Sequence, residues 1–177
     1  MIFEIGVILI SLTLLLFIYK LDKHSLKTYG LIFVGVLLFE YFTQALWLNK
    51  NLEPWAYLYL DVSWIITLGW STIIITSKKL VEVYFQSWKA HVKFLASLVL
   101  VTIIGYFAEA TVLGLGIREY STAVLNVASG VKLGLVPIEA LYYIPAFITL
   151  VLTFAAYWQS QLFKDKNNLK IARGIEK

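Results

Sequence analysis

"MIFEIGVILISLTLLLFIYK", residues 1–20, decides how often this chain crosses a membrane. A secretory leader needs a basic first region, a short apolar centre and a small-residue cleavage site. Here Glu4 stands where basic residues would be, and no A-x-A-like site follows. At 1.5 Å per residue, such a run spans about 30 Å, the depth of a bilayer's hydrocarbon. It is read as a retained helix, and the topology is counted from it.

Working outward, four more stretches are long and apolar enough to span. With the first, they run over residues 2–20, 28–49, 54–77, 93–116 and 136–163. Helices are required, because a lone helix satisfies its own backbone in lipid. The whole chain of 177 residues is 60% hydrophobic, with mean hydropathy +0.78, whereas soluble domains are usually below half apolar. The expected fold is an all-α integral membrane protein, one transmembrane domain over 1–177, built as a five-helix bundle. The sequence has no cysteine, which excludes disulfides, thiolate catalysis and Cys-ligated metals.

The net charge is +4, and its distribution speaks of topology. Segments 20–28, 77–93 and 164–177 carry Lys20, Lys23, Lys27, Lys78, Lys79, Lys89, Lys93, Lys164, Lys166, Lys170, Arg173 and Lys177. The alternate loops carry only Lys50, Arg118 and Lys132. The positive-inside rule then sets the N-terminus outside and the C-terminus in the cytoplasm. Five crossings satisfy this parity. The basic clusters are thereby explained without nucleic acid. His24 and His91 lie in these loops and form no metal site between them. The loop after the fourth stretch, "IREYSTAVLNVASGVKLGLV", is long and semi-apolar, as a lid or re-entrant segment would be. The "GLG" at 114–116 lacks the third glycine and preceding strand of a nucleotide fingerprint.

Besides Glu4 near the start of the first span, four acids fall inside the expected spans: Glu40, Asp61, Glu109 and Glu139. From the helical rise, Glu40 lies roughly 14 Å below the outer end of its span, Asp61 and Glu109 roughly 10 Å, and Glu139 roughly 3–5 Å. Carboxylates in lipid face a bundle interior or a wet cavity. One shared chamber in the outer half is therefore expected. Residues three and four apart share a helical face. Trp47 is thus expected beside Glu40, Tyr57 and Trp64 beside Asp61, Tyr106 beside Glu109, and Tyr142 and Tyr143 beside Glu139. These aromatics also suit an interfacial belt. A neutral acid beside an ionised one supports acid and base chemistry in one site. In an apolar chamber the fitting target is an alkene, whose protonation makes a carbocation that aromatic faces stabilise.

The stretch "AEATVLGLGIREYS…KLGLVPIEALYYIPAFITLVL" resembles the lycopene cyclase domain of small membrane cyclases found as heterodimers or fusions. Pro137, Ile138 and Glu139 match the start of that family's Pro-x-Glu-Glu motif, and Ala140 stands where the family has its second acid. The stretch "LFEYFTQALWLNKNLEPWAYLYLDVSWIITL" is similar to fungal membrane-bound meroterpenoid cyclases, with Glu40 and Asp61 as the matching acids. Membrane carotenoid hydratases share the pattern. These resemblances imply acid-initiated isoprenoid chemistry without redox change and without a cofactor. Glu139 or Asp61 would then be the acid, and Glu40 and Glu109 the base or relay. They imply a lipid-soluble isoprenoid substrate, and raise the question of a homo- or hetero-oligomer. The two stretches also echo each other, as a parallel repeat with its site at the interface would. The alternatives are a proton- or cation-coupled transporter and a non-catalytic lipid-binding subunit. The expected location is a multi-pass integral membrane protein, in the plasma membrane if the source is prokaryotic.

Overall fold

The computed structural model describes residues 1–172, and of residues 163–172 the backbone alone. The end of the basic tail, with Arg173 and Lys177, lies outside the described residues. Five long helices form one bundle: α1 (Ile2–Leu21), α2 (Ser25–Thr43), α3 (Trp64–Tyr84), α4 (Ala90–Gly114) and α6 (Ala140–Ala172). The short helix α5 (Thr122–Val127) lies between α4 and α6, its N-cap Ser121 accepting from the Val124 amide. Among the described residues, four segments are long and apolar enough to cross a membrane: Ile2–Leu21, Ser25–Leu46, Ala90–Gly114 and Ala140–Leu162.

α3 does not join these four, and its position explains why. It packs against α1, α2 and α4, and buries Ile65, Ile66, Thr67, Trp70, Ser71, Thr72, Ile74, Ile75, Ser77 and Val81. A helix shielded by neighbours needs no apolar coat against lipid. Two of its hydroxyls bond back to its own carbonyls, Ser71 to Thr67 and Thr72 to Leu68. α2 and α4 each pack on both α3 and α6, closing a ring of four, with α1 against α3 outside it. Ile32, Val36, Ile74, Ile75, Ile144, Ile148 and Val151 fill the ring. In lipid, close packing holds such helices together. Gly35 lets Phe154 approach to within 3.1 Å of where a Cβ would sit.

Six short strands cap one end. They are β1 (Trp47–Asn49), β2 (Tyr57–Tyr59), β3 (Val62–Ser63), β4 (Arg118–Tyr120), β5 (Lys132–Leu133) and β6 (Val136–Pro137). β2–β3 and β5–β6 are hairpins. β1 and β4 pair antiparallel, with Leu48 opposite Glu119 at the centre. The chain thus holds two units of like order, α2–β1–β2–β3–α3 and α4–β4–β5–β6–α6. Their first strands, β1 and β4, meet as two-fold-related copies would. Glu4 pins α1 to this end: it accepts from the Glu53 amide at 2.8 Å and pairs with the Met1 amine at 2.6 Å.

Several expected boundaries are corrected. α2 stops at Thr43 rather than 49, because Trp47–Asn49 is extended and paired to β4. α3 begins at Trp64 rather than 54, because Pro54–Ala56 is a 3-10 turn and the β2–β3 hairpin follows, turning through Leu60 at φ 45°. α6 begins at Ala140 rather than 136, because Val136 and Pro137 pair with β5. The long loop expected as a lid or re-entrant segment is folded as β4, α5 and the β5–β6 hairpin.

Candidate functional site

Side chains alternate across a strand, so residues 47 and 49 share a face with their partners 120 and 118. That face turns into the bundle. Trp47 is 8% exposed, Asn49 3% and Arg118 4%. Leu48 and Glu119 take the other side, where Glu119 pairs with Lys50 at 2.5 Å. Beneath the inward face lie Glu40, in the last turn of α2, and Glu109, five residues before the end of α4.

Arg118 joins the two halves. Its Nη1 donates to Glu109 Oε2 at 3.2 Å, and its Nη2 lies 3.7 Å from Glu40 Oε1. Its Nε donates to Asn49 Oδ1 at 3.0 Å, and the guanidinium sits 5.5 Å from the Trp47 ring centroid. Asn49 is itself oriented, its amide donating to the Asp61 carbonyl at 2.5 Å. Glu109 Oε1 accepts from the Tyr120 hydroxyl at 3.0 Å, and the Tyr120 and Tyr143 hydroxyls are 2.8 Å apart. Glu40 Oε2 accepts from the Thr67 hydroxyl at 3.1 Å, while Glu40 Oε1 has an ion contact but no hydrogen bond.

One guanidinium faces two carboxylates, so the cluster is neutral only with one proton aboard. Burial works against the Arg118 charge, but Glu109 and Glu40 outweigh it and hold its pKa above the ordinary arginine value. Burial, then the charge of Glu109, pushes the Tyr120 phenol well above its usual range. Tyr120 therefore stays protonated and remains a donor to Glu109.

Two voids flank this cluster. An apolar cleft of about 280 Å³ runs between α1, α3 and α4, walled by Val7, Ile65, Gly69 and Val112, with Glu109 and Arg118 as its polar boundary. A void of about 10 Å³ lies beside Glu40 among Phe39, Trp47, Tyr143 and Phe147; that is room for about one water. Trp70 and Arg118 border both. The Trp70 indole lies against Gly105, where an added Cβ would come within 2.6 Å of the ring. Phe39 and Phe147 stand 4.2 Å apart by centroid, and Trp70 meets Phe147 edge-on at 5.5 Å.

Of the residues expected at the site, the structure unites Glu40, Glu109, Trp47 and Tyr143. The expected chamber of four acids is corrected to two. Asp61 lies in the β2–β3 turn, outside any helix, and only its backbone carbonyl reaches the cluster, through Asn49. Glu139 precedes α6 and accepts from the Ser129 amide at 2.7 Å, a contact that holds its pKa below the usual carboxylate value. Tyr57 supports the site at one remove, its hydroxyl donating to the Asn49 carbonyl at 3.2 Å. Trp64 donates to the Trp55 carbonyl at 2.9 Å, Tyr106 bonds the Leu133 carbonyl, and Tyr142 is 74% exposed. Arg118, a candidate counter-charge at the end of the fourth expected span, does meet the acids. Tyr120, Asn49, Thr67 and Trp70 belong to the site and were not foreseen. The alternation of "WLN" and "REY" was the only signal for Tyr120 and Asn49.

Comparison with protein-family models, curated proteins and solved structures finds no significant match. Among the described residues, no three His, Cys, Asp or Glu gather as metal ligands. The arrangement can hold a proton in a nearly dry pocket, pass it between carboxyl oxygens and a bound alkene, and face a cation with five aromatic rings.

Proposed function

We propose that the chain is a five-span membrane enzyme that protonates an alkene of an isoprenoid-class lipid and directs the resulting carbocation to cyclisation or hydration. In this reading α3 is the fifth, central span, with the N-terminus outside and the C-terminus cytoplasmic. One observation carries the reading: the Glu40–Arg118–Glu109 cluster lies where an apolar cleft meets an aromatic pocket. Glu40 is the donor, because it borders the aromatic pocket and its Oε1 has no hydrogen-bond partner. Glu109 is held by Arg118 and Tyr120 and completes the proton circuit.

The steps balance without a redox partner. The alkene π pair takes the Glu40 proton, forming a C–H bond and leaving a tertiary cation and a carboxylate. A second alkene of the same molecule supplies its π pair to form a C–C bond. Loss of a proton to the cluster closes the cycle as an isomerisation. If water captures the cation instead, the product is an alcohol and the surplus water proton restores the cluster. A chain in the cleft would reach Glu40 past Trp70 and Arg118, which border both voids. The lycopene cyclase resemblance remains as a guide to reaction class, though its motif residue Glu139 stands off the cluster.

A transporter would need a polar path to the far end. Below the cluster the ring is closed by Ile32, Val36, Ile74, Ile75 and Ile148, all 0% exposed, which favours chemistry over conduction. The test is purified protein in lipid, given a panel of acyclic polyprenyl hydrocarbons and analysed by mass spectrometry. Cyclised or hydrated product that Glu40→Gln abolishes supports the proposal. No converted substrate, and an unchanged lipid profile in cells carrying Glu40→Gln, would overturn it.

A further inference from the structure

At the end of the ring opposite the β1–β4 pair lies a cavity of about 390 Å³ that the proposed chemistry does not use. α2, α3, α4 and α6 all contribute to it. Its polar side is Lys78 and Glu82 of α3, Lys93 of α4 and Gln159 of α6; its apolar side is Phe94, Leu152 and Ala156. The small side chains Ala90, Ser97 and Ala155 leave the gap. A mostly apolar pocket with two lysines on its polar edge, at a helix-bundle mouth, matches a molecule with an anionic head and a hydrocarbon tail.

We infer that this cavity binds the phosphate headgroup of an anionic membrane lipid, with the acyl chain along Phe94 and Leu152. The charges support it. Glu82 is shared by Lys78 and by Lys79, whose Nζ lies 2.8 Å from it. Lys79 also pairs with Asp22 at 2.8 Å, so these four groups balance among themselves. Lys93 is in excess, because among the described residues its ammonium donates only to a neutral backbone carbonyl, that of Gln86 at 2.8 Å. The wall of Lys78, Lys93 and Glu82 therefore carries a net single positive charge, and a phosphodiester monoanion neutralises it. The surrounding Lys20, Lys23, Lys27 and Lys89 draw anionic lipid to this end without forming the pocket. The proposal is independent of the reaction assigned to the Glu40 cluster.

The test is native mass spectrometry of the full chain after delipidation, titrated with phosphatidylglycerol or with phosphatidylcholine of the same acyl chains. Phosphatidylglycerol should be retained on the order of tenfold more strongly. Lys93→Gln should remove most of that preference without unfolding, since Glu82 keeps both its lysines. Ala156→Trp should remove it by filling the cavity while every charge stays. Lys20→Gln with Lys23→Gln should leave it intact. Equal retention of the two lipids, or equal loss in the Lys20/Lys23 variant, would overturn the inference in favour of diffuse surface attraction. Displacement of the lipid by millimolar inorganic phosphate would overturn the lipid assignment in favour of a free-anion site.

Discussion

Replacing Arg118 by Met should be among the most damaging single changes in this chain. The guanidinium lies 3.2 Å from Glu109 and 3.7 Å from Glu40. With the cluster's proton on Glu40, the full charge-charge attraction is that to Glu109, about 5 kcal/mol gross at an effective dielectric of about 20. Most of this offsets the cost of taking two ionic groups out of water, because Arg118 and Glu109 are each at most 4% exposed. Truncating one member of such a set leaves its partners buried and uncompensated, which costs about 3–5 kcal/mol. Asn49 also loses the donor to its Oδ1, a further penalty of about 1 kcal/mol. The account predicts a loss of about 3–5 kcal/mol in denaturant-induced unfolding in mixed micelles. It also predicts that Glu40→Gln and Glu109→Gln, added together to Arg118→Met, recover a large part of that loss. A single-variant loss below about 1 kcal/mol, or a triple variant no more stable than Arg118→Met alone, would refute the electrostatic reasoning.

Three further perturbations follow from the same geometry. Gly105→Ala places a methyl 2.6 and 2.8 Å from two Trp70 ring atoms; a destabilisation of about 1–3 kcal/mol is expected, with a shift in tryptophan emission as the indole moves. Glu40→Gln should lower product formation by about 100-fold or more while the melting temperature holds, whereas Glu139→Gln and Asp61→Asn should stay within about twofold of wild type, because neither carboxyl meets the cluster. Asp22 accepts from Lys79, Ser25 and the His24 amide, which hold its pKa well below the usual carboxylate value. Its contribution is thus present above about pH 4 and lost as pH falls through the lowered value. The melting-temperature difference between wild type and Asp22→Asn should shrink as the pH is taken below about 3.

The helices facing lipid were legible in the sequence because lipid demands a continuous apolar coat. α1 and α4 lie within a few residues of the expected 2–20 and 93–116. α3 was misplaced because "PWAYLYLDVS" is as apolar and aromatic as a helix start, yet folds as a 3-10 turn and hairpin. Strands of two or three residues are too short to show a period. The depth assigned to Asp61 assumed a helical rise from residue 54, and it fell with that helix. The burial of Glu40 and Glu109 was legible because a carboxyl deep in an apolar run has little choice but to turn inward. Arg118 could be read as a candidate counter-charge at the end of the fourth span, but not as a buried one. Its burial depends on a strand partner 69 residues away at Asn49, which no local pattern announces. Trp70 was hidden for a similar reason: an indole in a span reads as packing until the voids on both sides are seen.

The β1–β4 pair gives the most direct test, since it is what brings two acids from separate helices onto one arginine. The chain has no cysteine, so a pair can be introduced without background. Leu48 and Glu119 lie directly opposite on the outward face, within the roughly 4.4–6.8 Å between Cα atoms that a disulfide requires. Leu48→Cys with Glu119→Cys should cross-link rapidly and nearly completely under mild oxidation in native membranes. Asp61→Cys with Glu139→Cys should not. Failure of the first pair to cross-link, in protein that is folded and membrane-inserted, would contradict the joined halves and the shared arginine with them.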